Sequence, residues 1–131
     1  MRHNLNELFI AAVAASLMSH AALASDWVSV GKSDDGTAES FIDVSSAKVS
    51  GNARVVWMKS IVQPGAPVGI SEALQHTFFN CKEESFRIDS IVTRYADGTS
   101  RTDNYHDPRF NPVPPDTMNS AAMNFVCALK L

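Results

Sequence analysis

Short apolar segments alternate with turn signals along most of the chain after residue 25. The strongest of these segments is Ala53–Val62, which is rich in β-branched and aromatic residues and carries apolar side chains in both phases of a strand. Because a strand that is apolar on both faces belongs inside a sheet, we expect Ala53–Val62 to be a central strand. The same pattern predicts further strands at Trp27–Val30, Ser40–Val44, Leu74–Cys81, Phe86–Tyr95 and Ser100–Tyr105.

Turn-forming residues separate the predicted strands. Asp35–Gly36 and Asp97–Gly98 indicate hairpins, because an Asp-Gly pair tolerates the positive φ angles of tight turns. Ser50–Asn52 indicates another turn, and Gln63–Gly69, with two prolines and two glycines, is predicted to be a loop. Four prolines between His106 and Pro115 predict an extended, irregular crossing.

A helical repeat follows the crossing. Thr117–Leu129 is predicted to be a helix capped by Asp116 and laid on the sheet, because its apolar residues recur at steps of four, three and four. This stripe consists of Met118, Ala122, Phe125 and Leu129. The predicted fold class is therefore α+β, with a single antiparallel sheet of about six strands and a C-terminal helix packed on one face.

The position of Cys127 conflicts with this stripe. At 100° per residue, Cys127 lies about half a turn away from it, so an ideal helix would direct the sulfur away from the core. Either the helix unwinds before Cys127, or its other side meets the sheet through Met123 and Val126. We expect unwinding.

The first 24 residues have the pattern of a secretory signal peptide. Arg2 lies in a short polar start, 11 mostly apolar residues follow from Leu8 to Met18, and the segment ends in Ala22–Ala24. We predict cleavage between Ala24 and Ser25, with cleavage after Ala21 and a buried N-terminal helix as the alternatives. Eleven apolar residues are too few to span a bilayer, so no transmembrane segment is expected. The protein is predicted to be periplasmic, or secreted to the cell surface.

Removal of residues 1–24 leaves 107 residues, enough for one domain at residues 25–131. The formal net charge of −3 argues against a nucleic acid partner.

Cys81 and Cys127 are the only cysteines, and two thiols in an exported protein are expected to form a disulfide. A reactive thiol and a zinc site are the alternatives, but zinc would need two more ligands, and His76 and His106 lack suitable spacing.

The polar residues predict no catalytic, metal or cofactor site. Asp103, His106 and Asp107 are close in sequence, yet no activated nucleophile accompanies them, and an acid–base site would need Asp103 and His106 to meet His76 in one cleft. His76 alternates with apolar neighbours and is interpreted as a hydrogen-bonded packing residue.

Cross-strand ion pairing is predicted for four arginines with interleaved aspartates, namely Arg87, Arg94, Arg101 and Arg109 with Asp89, Asp97, Asp103 and Asp107.

Trp57 lies in the most strand-like segment of the chain and is predicted to be a core anchor. The landmarks around it occur in a characteristic order: Trp27, Phe41–Val44, Gly51–Asn52, Val56–Lys59, Asn80–Cys81, Tyr95–Gly98, Pro112–Pro114 and Val126–Cys127. In this order the sequence resembles the surface-adhesin protein E family of small exported bacterial proteins. The resemblance implies an antiparallel sheet packed by a C-terminal helix, with Cys81 joined to Cys127.

The resemblance also implies adhesion, because the family's namesake binds host extracellular matrix proteins. The leading hypothesis is therefore a non-enzymatic exported domain that binds proteins of the host or the envelope through Ser100–Tyr105 or the proline-rich crossing. The alternative is a periplasmic structural or stress protein that binds a small ligand or an envelope component, and an unrecognised hydrolase is a third possibility. A flat exposed patch that includes Tyr105 and Phe110 would favour protein binding, whereas a closed apolar pocket would favour a small ligand.

Overall fold

A computed structural model describes residues 24–131 of the chain. The described part contains eight strands, one short 3₁₀ helix at Val44–Ser46 and one α-helix. The strands are β1 (Trp27–Lys32), β2 (Ala38–Asp43), β3 (Lys48–Ser50), β4 (Ala53–Val62), β5 (Ile70–Asn80), β6 (Ser85–Tyr95), β7 (Ser100–Asn104) and β8 (Asn111–Pro112), and the helix is α1 (Met118–Ala128). The predicted signal peptide falls almost wholly outside the described residues.

The strands form one antiparallel sheet in the order β1-β2-β4-β5-β6-β7, curled into a half-barrel. The two short strands lie off this path, β3 against the start of β4 and β8 against the start of β6. Both the α+β fold class and the interior position of β4 are confirmed. Most strands pair with the next strand along the chain, because short turns separate the strand-forming segments.

Three details of the sheet differ from prediction. β5 begins at Ile70, four residues before the predicted start, because the loop after β4 ends at Gly69, where φ is +64°. β3 and β8 were not predicted, since segments of two or three residues are too short to show a periodic pattern.

The helix departs more strongly from prediction. α1 runs without interruption to Ala128, so the expected unwinding before Cys127 is wrong. Its buried residues are Ala122, Met123 and Val126, so the alternative contact through Met123 and Val126 is confirmed. The predicted stripe contributes in part, since Ala122 is buried and Phe125 packs against the core cluster. The N-cap is Thr117 and not Asp116: the Thr117 hydroxyl accepts a hydrogen bond from the backbone N–H of Ser120.

The core lies between α1 and one face of the sheet, which we call the helix face. Phe79 and Ile42 are fully buried there, and Val56 and Met58 on β4 pack in the same cluster as Ala122, Met123 and Val126 of α1. At about 25 cal/mol per Å² of apolar surface, this cluster is the main source of stability. Because only alternate residues of each strand reach it, the rest of the sheet's side chains lie on the opposite face.

The predicted disulfide is confirmed. Cys81 follows the end of β5 and is bonded to Cys127 in the last turn of α1, with the two Cα atoms 5.9 Å apart. Closing 47 residues in this way contributes about 4 kcal/mol in the chain-entropy model. The bridge fixes the C-terminal end of the helix against the end of β5, and it determines which side of the helix faces the sheet.

Candidate functional site

The sheet face that points away from α1, here called the open face, carries most of the partly exposed aromatic side chains. Trp57 belongs to this face, because it alternates along β4 with the core residues Val56 and Met58. It is half-buried and lies outside the core cluster, so the prediction of Trp57 as a core anchor is wrong. Both phases of β4 are apolar, and the sequence alone does not tell which one the single helix covers.

Neighbouring strands extend this aromatic surface across the sheet. The His76 ring lies 4.9 Å from the Trp57 ring and 5.3 Å from the Phe78 ring, measured between centroids. The guanidinium of Arg87 then stacks on Phe78, with its central carbon 3.7 Å from the ring centre. A continuous row of flat side chains therefore crosses β4, β5 and β6 on the open face.

His76 is held in position by a carboxylate from β6. Its Nδ1 atom lies 2.8 Å from Oδ1 of Asp89, and both side chains are partly exposed, at 22% and 34%. The pairing of β5 with β6 shifts register between His76 and Thr77, which brings Asp89 onto the same face as His76. The interpretation of His76 as a hydrogen-bonded packing residue is confirmed.

A groove of about 620 Å³ opens beside this pair. Trp57, His76 and Asp89 line it together with Arg87 and Ser90, and the end of β7 with the segment that follows forms its side. That side consists of Asn104, Tyr105, His106 and Pro108. The groove combines aromatic faces with hydrogen-bonding groups, which is the composition typical of recognition surfaces.

The two residues predicted as a binding surface lie on either side of Arg87. Tyr105 is 45% exposed and lines the groove, and its backbone N–H donates a 2.8 Å hydrogen bond to the carbonyl oxygen of Asp89. Phe110 is half-buried, with its ring centre 5.6 Å from the guanidinium carbon of Arg87. The structure thus brings both residues to one region, but only Tyr105 is broadly accessible.

The acid–base set that an enzyme would need is only partly assembled. His76 and His106 share the groove, whereas Asp103 bonds to Arg101 on β7, with a nitrogen–oxygen distance of 2.8 Å. Ser90 also lines the groove, but within residues 24–131 no hydrogen bond joins its hydroxyl to His76. In the same part of the chain, no three His, Cys, Asp or Glu side chains converge in a way that could hold a metal ion.

Ion pairing follows the sequence prediction only in part. Arg101 pairs with Asp103 and Arg109 with Asp107, both within one segment and not across strands. Arg94 bonds across strands, but to Glu72 and not to Asp97. The hydrogen bonds from Arg109 lower the pKa of Asp107 to about 2, which keeps this carboxylate ionised beside a smaller cavity of about 270 Å³. For Arg87 the predicted ion pair is wrong, since it stacks on a ring instead.

A second cation lies further along the open face. The Lys59 ammonium is 4.3 Å from the centre of the Trp27 ring and 5.4 Å from the centre of the Phe41 ring. Lys59 follows Trp57 by two residues on β4, so the Trp27 contact continues the aromatic row toward β1. Sequence reasoning missed these stacked cations, because their partners come from strands that are distant along the chain.

Comparison with known proteins identifies the family. A family model described as surface-adhesin protein E matches residues 27–128. The chain belongs to the surface-adhesin protein E family. No curated protein and no solved structure gave a significant match.

Membership in the surface-adhesin protein E family agrees with the arrangement of the sheet, α1 and the disulfide. Together, an adhesin family and a disulfide indicate an exported protein. None of the helices described in residues 24–131 has the length and apolar character needed to cross a membrane.

Proposed function

We propose that this member of the surface-adhesin protein E family is a non-enzymatic, exported domain that binds host or envelope proteins through its open face. The observation that carries the proposal is the row of aromatic side chains from Trp57 to Phe78, which α1 leaves uncovered and which borders an open groove. Protein interfaces are enriched in such aromatic side chains and in arginine. The groove is open along its length, which favours a protein segment over an enclosed small ligand.

Tyr105 is the residue we propose as the main contact. It is the most exposed aromatic side chain of the groove and is fixed at the end of β7 by its backbone hydrogen bond to Asp89. A rigid aromatic side chain gains contact area at little cost in conformational entropy, which makes it a suitable anchor.

The proposal is tested by measuring the binding of the purified protein to immobilised extracellular matrix proteins and to envelope proteins. We expect Tyr105→Ser to weaken binding by about tenfold or more, as an interface anchor does. Val68→Ser is the matched control, since Val68 is 58% exposed but lies in the loop between β4 and β5. Equal losses for the two variants, or no binding to either class of protein, would contradict the proposal.

We further propose that export removes residues 1–24, as the apolar run and the Ala22–Ala24 ending indicate. Mass spectrometry of the protein from the periplasm or cell surface is expected to give Ser25 as the N-terminus. An intact Met1 in folded, disulfide-bonded material would refute this proposal.

A further inference from the structure

Arg87 differs from the other arginines in the described part of the chain. Arg54 donates to backbone carbonyls of α1, and Arg94, Arg101 and Arg109 each bond to a carboxylate at 2.7 to 2.8 Å. Within residues 24–131, the guanidinium of Arg87 has no hydrogen-bond acceptor and no carboxylate partner. A guanidinium carries five N–H donors and is always charged, so in residues 24–131 the donors of Arg87 are left available to solvent or to a ligand.

Two aromatic rings hold the side chain of Arg87 in place. Its guanidinium carbon is 3.7 Å from the centre of Phe78 and 5.6 Å from the centre of Phe110. Stacking occupies the flat face of the guanidinium and leaves the N–H groups at its edge free to donate. The group is therefore fixed before any ligand arrives, which reduces the entropy that binding would cost.

The nearby carboxylates are already committed to other partners. Oδ1 of Asp89 lies 2.8 Å from Nδ1 of His76, and Asp107 receives hydrogen bonds from Arg109 through both of its oxygens. Arg87 lines the groove together with Asp89 and Tyr105, and a smaller adjoining cavity of about 270 Å³ together with Asp107 and Tyr105. The N–H donors of Arg87, which have no acceptor within residues 24–131, thus lie beside the exposed ring of Tyr105.

We propose that Arg87 is an anion-binding anchor that takes the carboxylate of an acidic side chain on the partner protein, while an apolar neighbour of that residue packs on Tyr105. This inference rests on the proposed protein-binding function of the open face. A carboxylate matches the planar fork of a guanidinium with two parallel hydrogen bonds. A phosphate group fits less well, because it carries more charge and Asp89 and Asp107 lie on the same two cavities.

The first test uses the wild-type protein and two peptides, acetyl-Tyr-Glu-Phe-amide and its Gln counterpart, whose blocked ends remove other carboxylates. Binding is followed by the nuclear magnetic resonance signal of the Arg87 Nε–H group. We expect the Glu peptide to shift this signal and to bind about tenfold or more tightly than the Gln peptide, because hydrogen bonds to a charged acceptor are the stronger ones. Equal affinities of the two peptides, or an Arg87 signal that does not move, would overturn the inference with the wild-type protein alone.

The second test compares Arg87→Gln with Arg101→Gln, which removes the same charge from the neighbouring strand β7. Arg87→Gln is expected to abolish the preference for Glu over Gln, and Arg101→Gln to retain it. If the preference survives in a folded Arg87→Gln protein, the anchor is elsewhere and the inference is wrong. Inorganic phosphate that competes more strongly than acetate at equal concentration would also contradict a carboxylate site.

The two proposals fail in different ways. Loss of protein binding in Tyr105→Ser together with unchanged binding in Arg87→Gln would leave the proposed function standing and overturn the anion anchor. Selective Glu-peptide binding at Arg87, without any binding to matrix or envelope proteins, would support the anchor and overturn the proposed function.

Discussion

Arg54 on β4 donates a 2.9 Å hydrogen bond to the backbone carbonyl oxygen of Val126 near the end of α1. The same guanidinium also bonds to the carbonyl oxygen of Leu129, so it caps the C-terminus of the helix from the sheet. The last carbonyls of a helix lack partners within it and carry partial negative charge, which makes a cation favourable there. Together with the disulfide, this contact fixes how α1 lies on the helix face.

Arg54→Gln is expected to lower the free energy of unfolding by about 1 to 3 kcal/mol, since it removes charge-assisted hydrogen bonds to half-buried acceptors. Chemical denaturation of the disulfide-bonded protein measures this difference. Arg101→Gln is the control and should leave the denaturation midpoint nearly unchanged, because its ion pair is exposed. Similar losses for the two variants would show that Arg54 does not cap the helix.

Reduction of the disulfide is expected to loosen the C-terminal helix before the central strands. Without the bridge, α1 depends on the buried Ala122, Met123 and Val126 and on the partly buried Phe125. Met123 and Val126 are the large apolar side chains that are buried, each worth about 1.5 to 3 kcal/mol. Part of that gain is offset by the entropy lost in ordering the segment. Hydrogen exchange should therefore show faster exchange of residues 117–126 in the reduced protein, while β4 and β5 stay protected. Equal protection of this segment in both forms would refute the prediction.

Alanine substitutions of an aromatic residue on the helix face and of one on the open face should lower stability by different amounts. Phe79 is fully buried on the helix face, so Phe79→Ala is expected to cost about 3 to 5 kcal/mol. Trp57→Ala should cost about 1 to 2 kcal/mol, because the side chain is only half-buried. Denaturation midpoints of the two variants check this order. A larger loss for Trp57→Ala would restore Trp57 as the core anchor predicted from the sequence.

Asp43 should make the fold sensitive to acid. Burial raises its pKa, but hydrogen bonds from Ser45 and from the backbone N–H of Asp26 outweigh burial, and the pKa of Asp43 lies below its ordinary value. A carboxylate with a lowered pKa in the folded state contributes stability above its unfolded pKa of about 4, and this contribution is lost as the pH falls through the folded value.

Asp43→Asn is therefore expected to reduce stability by about 1 kcal/mol at pH 7, with a difference from wild type that shrinks below pH 4. Denaturation at several pH values between 3 and 7 measures this difference. Asp34→Asn is the control, because Asp34 lies exposed in the turn between β1 and β2. A difference that stays constant across this pH range would contradict the assignment to the Asp43 charge.

The positions of the six long strands along the chain could be predicted well from the sequence, because alternation and Asp-Gly turns are local signals. Ala53–Val62 was predicted with the bounds that β4 has in the structure. The face of the helix stayed open between two alternatives. Ala122 and Phe125 of the predicted stripe contact the core, but so do Met123 and Val126, and the disulfide and the Arg54 contact that hold the helix link residues distant in sequence.

Individual residues of the candidate site could be predicted from the sequence, but their arrangement could not. Tyr105 was singled out from the sequence, but its groove depends on the register shift at His76 and on the crossing of residues 105–108. The sequence also did not reveal that Arg87 lacks a carboxylate partner within residues 24–131. Its neighbouring aspartates predict ion pairs by proximity, whereas the strand register places Asp89 against His76, and Asp107 bonds locally to Arg109.

Cross-linking in intact cells tests most directly whether the open face is the binding surface. A photoreactive phenylalanine analogue at position 105 is expected to form adducts with another protein, because Tyr105 is exposed beside the groove. The same analogue at position 68, at the far end of β4, should form none of these adducts. Adducts at position 68 as strong as those at position 105, or none at position 105, would contradict the account.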